Sequence, residues 1–470
     1  MKFSRYLLTG ALTLFFAGGK AYAHGFGERI DLPIPFTLYA LGAAVTIAVS
    51  FILIGILSGD RNPRNAPQVD LLQFRIGRFL FANRSIRTVL QLISLLVAIV
   101  ITIAGFVGSP IPSYNIAPTF VWILFAVGMV YVSAFFGNIW PILHPAAIVY
   151  DALTFFIPKR RKKETWSDTV SAWPAVVLYF LFRWVENVHP TPSDPQTVAL
   201  LVGMYLLLSF VGMITLGKQN WLRYCDPFNV FFRFLSFFAI FNAEEKEGSA
   251  RIFLRFPGTG LFSIQKIPLS GIVFEMLMLS TIAFDGMKET PSWKLVRTAP
   301  WHHFSVPVID TIGMLVFLML FLCTYFCIAW LISLCIRHKF SVIHIASAFA
   351  FSMLPIAVAY EVAHFISLFL LDGQRAVYLL SDPLGFGWNV LGTARYEIRY
   401  GIINFKVLWN FQVLLIVLGH IVGVYVAHIR ALHILENRRI AIRSQYPMLL
   451  LMVCYTMFSL WVIAQPIIGS

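Results

Sequence analysis

Charge is scarce in this chain. Asp, Glu, Lys and Arg make up 12% of its 470 residues, against about 25% in an ordinary soluble domain. Such a composition cannot cover a water-exposed exterior, so a soluble globular enzyme is excluded. Cysteine is also sparse, with five residues (Cys225, Cys323, Cys327, Cys335 and Cys454). All five fall in apolar runs or in loops assigned below to the inner face, which argues against a disulfide framework. Linkers, low-complexity tracts and soluble domains are missing. So are the G-x-S-x-G elbow, the phosphate-binding Walker loop, the H-E-x-x-H zinc pair and the C-x-x-C-H haem attachment. Glu361-Val-Ala-His364 is half of a zinc pair and carries no weight as a motif.

What is present is apolar: hydrophobic residues make up 59% of the chain. The first 23 residues form a signal-peptide pattern. Lys2 and Arg5 supply the positive start, Tyr6 to Ala17 the apolar run, and Ala21-Tyr22-Ala23 a small-x-small cleavage site before His24. That run is about half of what a bilayer crossing needs, so cleavage is favoured over anchoring. The expected organisation is a signal peptide over 1–23 and a single polytopic domain over 24–470.

Ten spans can be read in the mature chain, giving an all-α helical membrane protein. They are Ile34–Leu57, Val89–Val107, Thr119–Phe136, Ala172–Val185 (short), Thr197–Leu216, Ile267–Phe284, Val308–Leu334, Val342–Leu371, Val407–Ala427 and Met448–Ile468. Starting from His24 outside, both mature termini lie outside. Lys and Arg count 24 in the loops this places inside and eight outside, which agrees with the positive-inside rule. In a bacterium the expected location is therefore the inner membrane. The formal charge of +14 reports this loop placement and not nucleic-acid binding. Phe228 to Phe241, rich in Phe around Arg233, suggests a helix lying at the inner surface. A weak repeat links Gly137, Trp140 and Pro145 after the third span to Gly217, Trp221 and Pro227 after the fifth.

Ionisable groups inside spans are costly, which makes them candidate sites. Tyr360, Glu361 and His364 can face one direction on the eighth span, and Glu361 and His364 are the candidate catalytic pair. Glu275 lies in the sixth span. Arg183 in the fourth has Glu186 as a local partner, which suits a snorkelling pair. His344, His420, His428 and His433 read as helix-to-helix hydrogen-bonding groups. A b-type haem is disfavoured, because His364 and His420 differ in depth by roughly 10 Å. On the outer side, His24, His302, His303 and His364 could converge on a divalent metal, for which imidazole ligands favour copper or zinc. Adjacent His302 and His303 point apart, so at most one of the two would ligate. Cleavage before His24 would leave an amine and an imidazole on one residue. That pair resembles the copper histidine brace of secreted monooxygenases and copper carriers.

Several irregular stretches carry a family resemblance. They are His24-Gly-Phe-Gly-Glu-Arg-Ile-Asp-Leu-Pro-Ile-Pro, Gly137-Asn-Ile-Trp-Pro, Ala172-Trp-Pro-Ala, His189-Pro-Thr-Pro-Ser-Asp-Pro, Gly217 to Arg223, and Ser381-Asp-Pro-Leu-Gly-Phe-Gly-Trp. With these the chain resembles bacterial polytopic membrane proteins that bear the name fenitrothion hydrolase. The resemblance covers most of the chain. It implies hydrolysis of an organophosphorus triester to a phenol and a dialkyl (thio)phosphate. No catalytic motif carries over residue by residue. Two readings of other classes stay open: a copper-handling or redox membrane component built on His24, and a transporter whose path is lined by Glu275, Glu361, His364 and His420. The expected partners are the lipid bilayer and a small hydrophobic substrate or a metal ion.

Processing can be tested directly. Intact-mass analysis of the membrane-extracted protein should show a chain beginning at His24, and retention of residues 1–23 would remove the basis for a terminal chelate.

Overall fold

A computed structural model describes residues 35–57, 67–155, 171–246, 249–263, 266–298, 303–435 and 437–464. Twelve helices carry the architecture. They are α1 (Phe36–Leu57), α2 (Arg84–Val107), α3 (Ile116–Phe135), α4 (Pro145–Thr154), α5 (Trp173–Asn187) and α6 (Pro195–Leu216). They continue with α7 (Pro227–Leu235), α8 (Leu269–Lys288), α9 (Val306–Cys335), α10 (Leu354–Leu371), α11 (Phe405–Ile434) and α12 (Tyr446–Ile463). Among the described residues, nine helical stretches are long and apolar enough to cross a membrane. This is a helical membrane protein, because only a helix satisfies its own backbone groups where water is absent.

The nine stretches match nine of the ten expected spans. The remaining one, over Ala172–Val185, is α5, with 15 residues. The run Val342–Leu371 is not one helix. It breaks at Ala350–Ser352 before Pro355, leaving Val342–Phe349 as a separate short helix. Proline lacks an N–H and clashes with the preceding turn, which is why α10 starts afresh there.

The core gathers α8, α10, α11 and α12 with α7. Helix α8 is its axis, with nearly every residue from Ser270 to Phe284 buried. Helices α2 and α6 instead turn much of their apolar surface outward. Small residues set the tightest crossings. A Cβ on Gly419 of α11 would fall 2.4 Å from Ala359 of α10, and one on Gly105 of α2 would fall 2.4 Å from Ala199 of α6. Close backbone approach of this kind replaces the hydrophobic drive that membrane helices lack.

Two segments expected to be inner loops turn back into the protein instead. After α3 the chain passes Gly137 and the short turn Trp140–Leu143, then starts α4 at Pro145. After α6 it passes Gly217 and Trp221–Cys225, then starts α7 at Pro227. Each helix has proline at its first position and a charged or titratable residue as its N-cap, His144 for α4 and Asp226 for α7. Both turning glycines have positive φ, 114° at Gly137 and 87° at Gly217. Trp140 to His144 is four residues and Trp221 to Asp226 is five. The extra residue is absorbed by a π turn over Trp221–Cys225, closed by the Asp226 N–H on the Trp221 carbonyl at 2.8 Å. The repeat is thus structural, and its two halves meet. His144 Nε2 lies 2.9 Å from Asp226 Oδ2, and the Tyr205 hydroxyl donates to the same oxygen at 2.6 Å. Tyr205 stands eleven residues before the C-terminal end of α6, about 16 Å along the axis. Both N-caps therefore lie near mid-depth.

This corrects the surface-helix expectation for Phe228–Phe241. Helix α7 is buried, with Phe228, Phe231, Phe232 and Phe234 all packed inside. Phenylalanine around the whole circumference cannot lie with one face in water, so the helix is enclosed. Arg255 donates to the carbonyls of Ser236 and Ala239 beyond its C-terminus, where a cation suits the helix dipole. A small antiparallel sheet follows, ordered β1 (Val69–Asp70), β3 (Ser249–Leu254), β2 (Phe241–Lys246), with Leu254 opposite both Val69 and Phe241.

Gly217 has φ 87° and ψ 142°, a region almost confined to glycine, where another residue costs on the order of 1–3 kcal/mol. Gly217→Ala should therefore lower the thermal midpoint of the purified protein, and an unchanged midpoint would show that the turn does not hold the second half-helix.

Candidate acid–base site

Three helices bring charged side chains together inside the protein. On α8, Thr281, Asp285 and Lys288 follow at i, i+4 and i+7 and share a face. On α5, Arg183, Glu186 and Asn187 lie within one turn. On α10, Tyr360, Glu361 and His364 do the same. Asp285 is the hub: its Oδ2 lies 2.8 Å from His364 Nε2 and its Oδ1 lies 2.8 Å from Lys288 Nζ. Lys288 also donates to Asn187 Oδ1 at 3.1 Å. Arg183 pairs with Glu186 at 2.7 Å and donates through Nε to Thr281 Oγ1 at 3.2 Å. At 4% exposure Arg183 is enclosed. It does not snorkel; its charge is held by Glu186, Thr281 and the face of Phe365 at 5.7 Å.

Beside this network is a cavity of about 10 Å³ lined by Arg183, Glu186 and Glu361, with Tyr179, Phe182 and Phe228 closing it. That volume suits one water molecule. Three polar atoms of the lining residues have no hydrogen-bond partner, Glu361 Oε1, Arg183 Nη2 and the Tyr179 hydroxyl. The first is an acceptor and the second a donor, a pair that a water could bridge. The ionic count has a consequence too. Arg183 and Lys288 face three carboxylates, Glu186, Asp285 and Glu361. An uncompensated charge is costly in a low-dielectric interior, so neutrality calls for one proton held within the cluster. Such an arrangement can hold a proton.

Both candidate catalytic residues, Glu361 and His364, belong to this cluster. Of the candidate metal ligands, His24 and His302 lie outside the described residues, and His303 is exposed in the loop before α9. Among the described residues no group of three His, Cys, Asp or Glu is arranged to hold a metal ion. The surroundings of His364 do not fit one: a divalent ion there would sit close to the Lys288 ammonium and the Arg183 guanidinium. The helix-to-helix expectation for the other histidines is met by His428, which pairs with Gln445 at the start of α12. His420 Nδ1 and His433 Nδ1 instead donate to the Ile416 and Ile429 carbonyls of their own helix. His344 stacks on Phe340. Glu275 is fully buried and neither of its oxygens has a partner. It lies ten residues from Asp285 on α8, about 15 Å along the axis, and joins no hydrogen bond or ion pair with the cluster.

Asp285, Lys288 and Asn187 were not singled out in the sequence, because the sixth and fourth apolar runs end just before them. The available signal was the Asp285–Lys288 spacing of i, i+3 directly after an apolar run, at the depth of His364 on its neighbour.

Removing the hub should expose its role. Asp285→Ala leaves the part-buried Lys288 ammonium without its carboxylate, a change that should cost less than the roughly 3–5 kcal/mol of a fully buried pair. The double variant Asp285→Leu, Lys288→Met should recover most of the lost thermal stability. If the single change is as mild as the double, the pair is not a buried ion pair in the membrane.

No protein-family model, no curated protein and no solved structure matches the chain.

Proposed function

We propose that the protein is a membrane-embedded hydrolase acting on neutral, lipid-soluble esters, with an organophosphorus triester as the type of substrate. The observation that carries this reading is the water-sized cavity between Glu361 and Arg183. Hydrolysis of a triester needs a positioned water, a group to take its proton and a cation beside the phosphoryl oxygen. Glu361 is the proton acceptor and Arg183 Nη2 the donor to the developing oxyanion. The water oxygen bonds to phosphorus as the bond from phosphorus to the aryl oxygen breaks. Glu361 takes one proton from the water, and the leaving phenoxide collects one from His364, whose ring is oriented by Asp285. The products are a phenol and a dialkyl phosphate or thiophosphate.

A lipophilic substrate has a route to this place. Phe182 and Phe228 line the small cavity and also an apolar cavity of about 590 Å³ on their other side. That larger space opens on the outer apolar surface at Leu90, Ile93, Met204 and Leu208. Substrate dissolved in the bilayer would enter sideways, and the Phe182 and Phe228 side chains must swing aside for its phosphoryl group to meet the water, Glu361 and Arg183. The transporter reading draws less support, since Glu275 and His420 stand apart from the cluster.

The test uses full-length protein in nanodiscs and a nitrophenyl phosphotriester, with nitrophenolate absorbance as readout. Glu361→Gln keeps shape and loses the base, so turnover should fall on the order of 100-fold, while His428→Ala should retain it. Wild-type protein that releases no more nitrophenolate than empty nanodiscs, or an equal rate in Glu361→Gln, would contradict the reading.

A further inference from the structure

Tyr179 lines the small cavity and takes no part in the proposed reaction. It stands one turn before Arg183 on α5, so the two side chains share a face. Its ring is fixed by Phe231 and Phe274, with centroids 5.1 and 4.9 Å away. The residue is 1% exposed, yet its hydroxyl has no hydrogen-bond partner within the protein. Buried polar atoms are nearly always paired. Phenylalanine would fill the same space without an orphaned hydroxyl, so the oxygen calls for a partner.

Glu361 Oε1 and Arg183 Nη2 lack partners at the same cavity, while Glu186 is held by Arg183 Nη1 at 2.7 Å. A buried water usually makes about three hydrogen bonds. The space of about 10 Å³ holds one water and is bordered by these three unpaired atoms. A guanidinium N–H can only donate, a phenol can donate, and a carboxylate accepts. Two donors and one acceptor suit a water that is losing a proton. The acceptor takes the hydrogen, and the donors hold the charge that develops on the oxygen.

We propose that the Tyr179 hydroxyl is the third partner of the confined water and that, with Arg183, it holds the hydroxide formed as Glu361 takes the proton. One O–H bond of the water breaks, its hydrogen goes to Glu361 Oε1, and the oxygen keeps the electron pair. Two of the three lone pairs of the hydroxide accept from Tyr179 and Arg183. The third bonds to phosphorus as the aryl oxygen leaves. Nη2 carries two N–H groups, so Arg183 can hold the water with one and meet the phosphoryl oxygen with the other. The kinetic role rests on the hydrolytic reading; the water contact does not.

Tyr179→Phe keeps the ring between its aromatic neighbours and removes only the hydroxyl. In full-length protein in nanodiscs, the sign of the thermal shift decides the contact. Loss of a hydroxyl bonded to water should lower the midpoint by roughly 1–3 °C, whereas loss of an orphaned one should raise it. A raised or unchanged midpoint would overturn the contact. With the nitrophenyl phosphotriester, kcat should fall about tenfold, the scale of one hydrogen bond, with KM little changed. An unchanged kcat beside a lowered midpoint would overturn the hydroxide role and leave Tyr179 a ligand of a structural water. Wild-type protein without turnover would overturn the hydrolytic reading and that role together, while the thermal shift still decides the contact. Where the variant fails to fold, an ordered water in a wild-type density map decides it: density beyond hydrogen-bond reach of the Tyr179 oxygen overturns the assignment.

Discussion

The interaction on which the rest depends is the pairing of charge where water is absent. Asp285 is held from two sides, by Lys288 on its own helix and by His364 from α10, while Arg183 on α5 is held by Glu186. The Asp285–His364 pair ties α8 to α10, and the Lys288–Asn187 and Arg183–Thr281 hydrogen bonds tie α8 to α5, so the relative depth and rotation of three helices are fixed. An isolated charge in this setting costs several kcal/mol or more, so the helices cannot slide past one another without breaking a pair. Hydrophobic contact alone would not specify this, because lipid tails are as apolar as the leucines they would replace.

The same constraint explains the broken segments. A chain that re-enters the protein with helix ends near mid-depth must satisfy those ends internally. Proline at the first position of α4 and α7 removes one donor from each, and Asp226 caps another through the Asn229 N–H. His144 and Tyr205 then saturate the Asp226 carboxylate. At the small cavity Glu361 Oε1 and Arg183 Nη2 stay without a hydrogen-bond partner, and the larger apolar cavity lies beside it. Phe182 and Phe228 separate the two spaces, so an acid–base centre and an oily pocket share one wall.

Much of this was legible in the sequence. The spans follow from apolar run length alone, and nine of the ten reappear as long helices. The spacing of Tyr360, Glu361 and His364 placed them on one face, and burial at mid-helix made them candidates. What hydropathy cannot register is the return of a chain into the protein after a span. Gly137 and Gly217 looked like ordinary inner turns, so His144 and Asp226, each directly before a proline, went unweighed. The Gly–Trp–Pro echo was visible, but its one-residue mismatch disguised the equivalence of His144 and Asp226 until the π turn accounted for it. Asp285 and Lys288 lay just past an apolar boundary, where a charge reads as loop. His24 and His302 lie outside the described residues, so the metal expectation built on them stands as it did.

The central claim is that a single water is held between a carboxylate and a guanidinium inside the membrane. A cryo-electron-microscopy map of the full-length protein in nanodiscs, at a resolution that shows ordered water, tests it most directly. The account predicts discrete density within hydrogen-bond distance of both Glu361 Oε1 and Arg183 Nη2, enclosed by Phe182 and Phe228. Direct contact between Glu361 and Arg183 with no density between them would contradict it.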